Sequence, residues 1–309
     1  MTDANKHDKY QQVIFMCHGL APVRTAVCHP CDEFSLMGAV EAAEAHLIKP
    51  ILVGPAAKIR AFAAQNNLDI TPYELIDTPH SHASADRAVE LVREGKADAL
   101  MKGSLHTDEL MAAVVHKDTG IRTERRISHV FIMDVPTYPK PLFITDAAIN
   151  IAPGLEDKAD ILRNAIGLAN SLGIKNPKIA ILAAVETVNP RMISTIDAAA
   201  LCKMAERGQI TGAILDGPLA FDNAISLAAA QAKHINSPVA GDADILLVPD
   251  LEAGNMLAKE LTFLANADAA GIVLGARVPI ILTSRADDVR ARLASCAVAA
   301  LYAHWRKVK

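Results

Sequence analysis

Short apolar segments with strand character alternate with longer segments of helical periodicity along almost the whole chain. The strand-like segments include TAVC at 25–28, ILVG at 51–54, ALMK at 99–102 and KIAIL at 178–182. Near-continuous apolar runs of this length are typical of strands that are buried on both faces of a parallel sheet. Helical patterns follow most of them, so the sequence predicts an α/β fold with mostly parallel sheets and covering helices.

Composition agrees with this fold class and narrows the set of partners. The chain is 51% hydrophobic and only 4% aromatic, and its 309 residues predict two domains or one large α/β unit. The formal net charge of −4 gives no basic footprint for nucleic acid. No stretch has the character of a signal peptide or a membrane span, so we expect a cytoplasmic protein that acts on small molecules.

A proline-rich segment at 134–141 predicts a domain boundary. Its three prolines in eight residues cannot continue a helix. The section from there to about residue 270 has enough strands and helices for a sheet of its own. A terminal strand and helix cannot bury their apolar faces unaided, so we expect them to return to the first domain. The predicted domains are 1–137 with 271–309, and 138–270.

The residues after position 282 combine a hydroxyl, an arginine and two acids at a predicted strand-to-helix turn. Residues 280–282 are apolar and indicate a buried strand, and Ser284, Arg285, Asp287 and Asp288 follow. Ligands of open α/β sheets bind at this edge, and helix N-termini favour anions. The pattern indicates a phosphate or carboxylate site. The alternative is that one aspartate only caps the helix.

The helix predicted after this turn has an apolar stripe. The residues that recur at intervals of three and four are Val289, Leu293, Cys296, Ala297, Ala300 and Leu301. This spacing predicts that the stripe faces the core and that Arg290 and Arg292 lie on the other face.

The five cysteines predict no disulfide framework, because their number is odd. Cys28 and Cys31 have the C-x-x-C spacing of redox and metal sites. No second pair of metal ligands accompanies them, and Cys28 ends a strand-like segment. A strand end followed by a turn is the favoured interpretation, with a redox site as the alternative.

Polar side chains also follow the predicted strand at 99–102. Lys102, Ser104, His106 and Thr107 come at its end, with a glycine among them that lets a ligand approach the backbone. Taken alone, this segment has a simpler interpretation, in which His106 only caps a helix.

Two further segments also carry polar residues after a predicted apolar run. Asp216 follows an apolar run in ILDGP, and Asn255 and Lys259 lie four residues apart, which places them on one face of a helix. Each has a simple structural alternative, since Asp216 is a common turn former and Lys259 a common solvated helix residue.

Taken together, these motifs resemble those of one enzyme family. MKGSLHT, SHVFIMD, FITDAAIN, LDGPLAFDNAI, PDLEAGNMLAKEL and LTSRAD occur in this order. In this order they resemble the phosphate acetyltransferase and phosphate butyryltransferase family, from about residue 25 onward. HPCDEFSLMGAVEAA and KPILVGP look most like the acyltransferase part of bifunctional enoyl-CoA hydratase/phosphate acetyltransferases.

The resemblance implies a two-domain fold with the active site in an interdomain cleft, and a homodimer. It implies reversible transfer of a short acyl group, acetyl or butyryl, between CoA and phosphate. Acyl-CoA, CoA and phosphate are then the partners, with no bound cofactor and no metal. Asn255 and Lys259 are expected to bind phosphate or orient acyl phosphate, Asp216 to orient a cation or loop, and the 102–107 segment to line the site.

The chemistry implied by the resemblance assigns roles to the residues after position 282. A base must accept the proton of the CoA thiol, whose unperturbed pKa is about 8.5. Arg285 and Ser284 are expected to hold the phosphate. Asp287 is the first candidate for the base and Asp288 the second. The acetyltransferase pattern has a glycine and an aspartate where this chain has Ala286 and Ala291.

Arg122, Arg125 and Arg126 are candidates to meet the phosphates of CoA, with a solvated helix end as the alternative.

Two other function classes are alternatives to the acyltransferase. One rival function is a non-catalytic module that binds CoA or acyl phosphate. The other is a metal- and NAD(P)-dependent decarboxylating dehydrogenase, for which the sequence has no G-x-G-x-x-G fingerprint.

Overall fold

The computed structural model of the chain describes residues 8–282 and 289–308. The elements up to residue 115 are α1 (Asp8–Phe15), β1 (Val23–Cys28), α2 (Glu33–Glu44), β2 (Ile48–Gly54), α3 (Ala56–Gln65), β3 (Glu74–Asp77), α4 (Ser81–Arg93), β4 (Ala99–Lys102) and α5 (Thr107–Val115). Those that follow are β5 (Ser128–Asp134), β6 (Leu142–Thr145), α6 (Leu155–Ser171), β7 (Lys178–Leu182), α7 (Ile193–Glu206), β8 (Ile214–Leu219), α8 (Phe221–Ile225), α9 (Leu227–Ala232), β9 (Ile245–Leu247), α10 (Leu251–Leu264), β10 (Asp268–Leu274), β11 (Ile280–Ile281) and α11 (Val289–Val308).

The chain divides into two compact units. The first unit contains Tyr10–Arg125 and the described residues from Ala270 onward. The second unit contains Arg126–Ala269 and the described residues before Tyr10. The predicted domain limits of 137/138 and 270/271 stay a prediction.

The strands of the first unit have the order β3-β2-β1-β4-β11-β10. β1, β2, β3, β4 and β11 pair in parallel, and β10 pairs antiparallel with β11. Ile281 of β11 lies opposite Met101 of β4, so these two strands end at the same edge of the sheet. Ala26, Val27 and Leu100 are fully buried, as expected for central parallel strands covered by helices on both faces.

The strands of the second unit have the order β5-β6-β9-β7-β8. β5 and β6 form an antiparallel pair, and the other pairings are parallel. The proline-rich segment at 134–141 connects β5 to β6 within this unit, and its Tyr138 hydroxyl donates to the carbonyl oxygen of Ala243 at 2.6 Å. The predicted α/β class with mostly parallel strands is confirmed. No described helix combines the length and the apolar character that a membrane crossing requires.

The predicted orientation of α11 is wrong at its start. Val289 is 44% exposed, whereas Arg292 is only 4% exposed. The guanidinium of Arg292 contacts Glu41 on α2, with Nη2 3.1 Å from Oε2. A Cβ atom on Gly38 of α2 would lie 3.0 Å from Arg292 Cδ, so the glycine makes room for the arginine. The apolar stripe did not predict which residues are buried, because most of α11 is buried on all faces and not on one face only.

Candidate functional site

The turn after β4 is fastened to the residues after β1. The backbone N–H of Gly103 donates to Cys28 O at 2.8 Å, and that of Ser104 donates to His29 O at 3.0 Å. A Cβ atom on Gly103 would lie 2.3 Å from Cys28 O, so only glycine fits here. Lys102 Nζ donates to Gly103 O at 3.1 Å, which holds this partly buried cation at the carboxyl end of β4.

The hydroxyl of Ser104 has two protein partners. Its Oγ donates to His29 O at 2.9 Å and accepts from the backbone N–H of Cys31 at 3.2 Å. The predicted site residue Ser104 therefore joins two strand-end turns. These two bonds use the hydroxyl's only donor and one of its two acceptor lone pairs.

His29 is a residue at this edge that sequence analysis did not select. It adopts a left-handed backbone conformation, with φ of 56°, and its Nδ1 lies 3.1 Å from Ser84 Oγ. Burial lowers the pKa of this imidazole, with a further contribution from Lys58. A polar residue directly after a strand, next to the turn that carries Ser104, was the available signal.

The C-x-x-C pair belongs to the same turn. Cys28 is buried at the end of β1, so the strand end that the favoured interpretation predicted is confirmed. Burial raises the pKa of Cys28, and it raises that of Cys31 to about 11. Within the described ranges, no group of three or more His, Cys, Asp or Glu side chains is arranged to hold a metal ion.

His106 and Thr107 begin α5, next to this turn. The backbone N–H of His106 donates to Glu109 Oε1 at 3.4 Å, and Glu109 also accepts from the Ser81 hydroxyl. The Ser81 bond is the main cause of a lowered pKa of Glu109. His106 is exposed and Thr107 is half-buried, so both predicted residues lie at the same edge as Lys102 and Ser104.

In the second unit, Asn255 and Lys259 lie on α10 as predicted. Asp250 caps this helix by accepting from the backbone N–H of Ala253 at 2.9 Å. Asn255 Nδ2 donates to Ala147 O at 3.2 Å. Lys259 is exposed one turn further along the helix. The helix comes very close to the segment after β6 at Gly254, where a Cβ atom would lie 3.0 Å from Ala147 Cβ.

Asp146 organises that segment and was missed by sequence analysis. Its Oδ1 accepts from the backbone N–H groups of Ala148 and Ile149 at 2.9 and 3.1 Å. Its Oδ2 accepts from the backbone N–H and from Nδ2 of Asn150, at 3.2 and 2.6 Å. The side chain is 2% exposed. An acid directly after the apolar run FIT was the signal in the sequence.

A buried histidine lies beside this carboxylate. His129 is 2% exposed, and its ring packs edge-on against Phe131 at a centroid distance of 4.3 Å. Burial lowers its pKa to about 4, against an opposing effect of the Asp146 charge. The imidazole is therefore neutral at neutral pH.

Asp216 stands apart from Asn255 within the second unit. It lies on β8, and its Oδ1 accepts from the backbone N–H of Gly217 at 2.9 Å. In the strand order, β9 and β7 separate β8 from β6, which precedes the segment that Asn255 contacts. The structure therefore does not bring these two predicted residues together.

Ser284, Arg285 and Asp287 lie outside the described residues, as does Asp288. The described chain leads to them through β11, which ends at the same edge as β4. Ala291, by contrast, is described and is only 4% exposed on α11. A carboxylate at that position would be buried.

Arg122 and Arg126, two of the three candidate arginines, have different surroundings. Arg126 contacts Asp157, with Nη1 3.1 Å from Oδ1, and its Nε donates to Asn150 Oδ1 at 2.7 Å. Arg122 lies in an isolated antiparallel bridge with Ala276. The predicted cluster is thus divided between two local structures.

Comparison with known proteins gives consistent matches over most of the chain. A family model described as "Phosphate acetyl/butaryl transferase" matches residues 81–300. The phosphate acetyltransferase of Rhizobium meliloti is 66% identical over 299 residues, which cover 97% of this chain and 95% of that protein. The phosphate butyryltransferase of Clostridium acetobutylicum is 40% identical over 294 residues, covering 95% and 98%. A branched-chain phosphotransacylase from Enterococcus faecalis V583 superimposes with a TM-score of 0.79 at 30% identity, covering 91% and 99%.

Proposed function

Because the chain belongs to the phosphate acetyl/butyryl transferase family, we propose that CoA thiolate attacks an acyl phosphate directly at the strand ends of the first unit. The protein is a phosphate acyltransferase, and acyl-CoA, CoA and phosphate are its substrates. The C–S bond of the thioester forms, the carbon–oxygen bond to phosphate breaks, and a base takes the thiol proton. Neither rival function, the binding module or the dehydrogenase, is favoured by these matches.

The parallel register of β4 and β11 is the observation that carries this proposal. Lys102 ends β4 at the edge where β11 also ends, and Ser284 and Arg285 follow β11 in sequence. We propose that Arg285 and Ser284 hold the phosphate group, because a guanidinium fork matches two phosphate oxygens. The tetrahedral oxyanion that forms on the acyl carbon also needs cationic or N–H donors, and Lys102 is a candidate.

We propose Asp287 as the base that takes the thiol proton, with Asp288 as the second candidate. The thiol must ionise at a pH below its usual pKa of about 8.5, which requires a nearby acceptor. Burial of Ala291 supports a base at another position in this chain. No covalent intermediate on the enzyme is needed, because CoA is itself the nucleophile.

Asn255 and Lys259 are proposed to bind phosphate or to orient the acyl phosphate. The bond from Asn255 to Ala147 supports a fixed position for this amide. Asp216 is proposed to orient a cation or a loop, and its Oδ1 accepts from the Gly217 N–H within β8. Ser104, by its two backbone partners, is proposed to shape the turn that presents Lys102.

The acyl chain and the assembly are also proposals. The greater identity to an acetyltransferase than to a butyryltransferase, 66% against 40%, supports acetyl-CoA as the preferred substrate. Two buried methylenes are worth about 1.6 kcal/mol, so discrimination from this source is limited to roughly fifteenfold. We propose a cytoplasmic homodimer, which light scattering tests as a mass near twice the chain mass of 32.9 kDa.

A thiol-trapping assay tests the proposed function. Purified protein is given acetyl-CoA, propionyl-CoA or butyryl-CoA, with and without phosphate, before and after chelation. We expect CoA release that requires phosphate, survives chelation and is fastest with acetyl-CoA. Absence of phosphate-dependent release from protein that still binds CoA would favour the non-catalytic binding module.

A further inference from the structure

A cavity of about 460 Å³ in the first unit collects basic side chains away from the strand ends described above. The cations that line it are Arg93, Lys117, Arg122 and Arg277. Within residues 8–282 and 289–308, none of these four side chains has a hydrogen bond or an ion pair.

The acids in the same cavity do not neutralise this charge. Glu90 and Glu94 are paired with Arg87, whose Nη1 lies 2.6 and 3.3 Å from their carboxylates. Glu94 is also 2.9 Å from Lys96 Nζ. Asp118 is the remaining acid in the lining. Four cations therefore face a single carboxylate that is not already paired with another base.

Favourable interactions with helix dipoles explain the positions of at most two of the four cations. Arg93 ends α4 and Lys117 lies just after α5, where cations favour the negative ends of the helix dipoles. Arg122 and Arg277 belong to no helix. They lie on a fixed backbone, in which Arg122 bridges Ala276 and the N–H of Arg277 donates to Ile121 O at 2.9 Å. A bound anion would offset the mutual repulsion of these cations.

The turn on one side of the cavity is held by its own bonds. His116 Nδ1 accepts from the backbone N–H groups of Asp118 and Thr119, at 3.4 and 3.2 Å, and lies 2.8 Å from the Thr119 hydroxyl. Gly120 donates its N–H to His116 O at 3.0 Å. A Cβ atom on Gly120 would lie 2.4 Å from that oxygen, so the turn requires glycine.

Topology places this cavity at the opposite edge of the sheet from Lys102. α4 and α5 both start at the carboxyl ends of parallel strands and run back, so their ends at Arg93 and Val115 lie near the strand starts. Arg277 precedes β11, which runs parallel to β4. A ligand here is separated from the proposed catalytic edge by the length of a strand.

A second cavity of about 580 Å³ adjoins the first and shares Glu90, Arg93 and His116 with it. Ala83, Val89 and Ala113 add apolar surface to its lining. We propose that the two cavities bind a nucleoside polyphosphate, with the phosphates among the four cations and the base in the adjoining cavity, at a site separate from the one for CoA. Planar guanidinium groups suit phosphate oxygens, and pockets of this size hold small ligands.

Calorimetry with ADP tests the proposal. The result of this binding experiment does not depend on the acyltransferase mechanism. We expect the wild-type protein to bind ADP. In the Arg277→Gln/Lys117→Gln variant the Kd for ADP should rise at least about tenfold, because two charge-assisted contacts are lost. Arg277→Lys, which keeps the charge, should retain most of the affinity. Arg60→Gln is the matched control, since Arg60 is an exposed arginine that lines neither cavity.

Competition with CoA tests whether the site is separate from the CoA site, and binding of pyrophosphate and adenosine tests which part of ADP is recognised. Saturating CoA should leave ADP affinity unchanged, and pyrophosphate should bind more weakly than ADP but with the same dependence on Arg277 and Lys117. The proposal is overturned if ADP does not bind at millimolar concentration, or if the double variant binds it normally while remaining folded by circular dichroism. Displacement of ADP by CoA would assign the cavity to the substrate site, and adenosine binding as tightly as ADP would remove the role of the cations.

Discussion

The side-chain amide of Asn255 donates to the carbonyl oxygen of Ala147 at 3.2 Å, and this bond joins α10 to the segment that follows β6. It fixes the amide on the helix that also carries Lys259. The same segment is organised by the buried carboxylate of Asp146.

Asn255→Asp should weaken phosphate binding and destabilise the second unit. The new carboxylate cannot donate to Ala147 O and repels both that oxygen and a phosphate ligand. We expect the KM for phosphate to rise about tenfold or more and the free energy of unfolding to fall by about 1–2 kcal/mol. Initial rates and denaturant titration measure the two effects. Met256→Ala, an exposed neighbour on α10, is the control that should leave both unchanged.

Arg285→Ala and Asp287→Asn should have different kinetic signatures. Loss of Arg285 should raise the KM for phosphate and lower kcat by about 10²–10³-fold, because ground-state and transition-state contacts are both lost. Loss of the Asp287 carboxylate should lower kcat by about 10²-fold or more with less effect on KM. Asp288→Asn is the matched comparison. A larger loss in that variant would move the base to Asp288, and unchanged kinetics in Arg285→Ala would refute its role.

Arg292→Met should destabilise the first unit by roughly 3 kcal/mol. The substitution keeps the volume of the side chain but leaves Glu41 without the cation that lies 3.1 Å away. Removal of both charges in Arg292→Met/Glu41→Gln should recover a large part of the loss. A double-mutant cycle from denaturant titrations measures this coupling. Additive effects of the two substitutions would show that the pair makes no net contribution.

The buried imidazole of His129 should make stability depend on pH. Its pKa is lowered on folding, so the unfolded chain binds more protons as pH falls through the ordinary histidine value of about 6.5 toward the folded value of about 4. The free energy of unfolding is therefore unaffected by the titration of His129 above pH 6.5, and it falls as the pH is lowered from about 6.5 to about 4. His129→Gln should flatten the dependence of the unfolding free energy on pH, whereas the exposed His18→Gln should not. Parallel pH curves for wild type and His129→Gln would contradict this assignment.

Sequence analysis predicted the strands and helices well, because local patterns determine them. β4 and β7 coincide with predicted apolar segments at 99–102 and 178–182, because central parallel strands are apolar on both faces. The positions of Lys102, His106 and Thr107 at one sheet edge followed from the same reasoning. Asn255 and Lys259 lie on α10 because a four-residue spacing fits one helix face.

What local patterns did not predict were contacts made over long sequence separations. Arg292 is buried because Gly38, far away in the chain, leaves space beside α2. The two backbone partners of Ser104 come from the turn after β1, which only the pairing of β1 with β4 brings near. Asp146 was missed for a different reason: its bonds come from nearby residues 148–150, but the sequence does not show that this carboxylate is buried.

Steady-state kinetics in the direction of thioester formation test direct attack by CoA most directly. Initial rates are measured with acetyl phosphate varied at several fixed CoA concentrations, with thioester and released phosphate determined in each reaction. We predict equal amounts of the two products and double-reciprocal lines that intersect, as a complex of both substrates requires. Parallel lines, which indicate an acyl group or phosphate left on the enzyme between two half-reactions, would contradict the account.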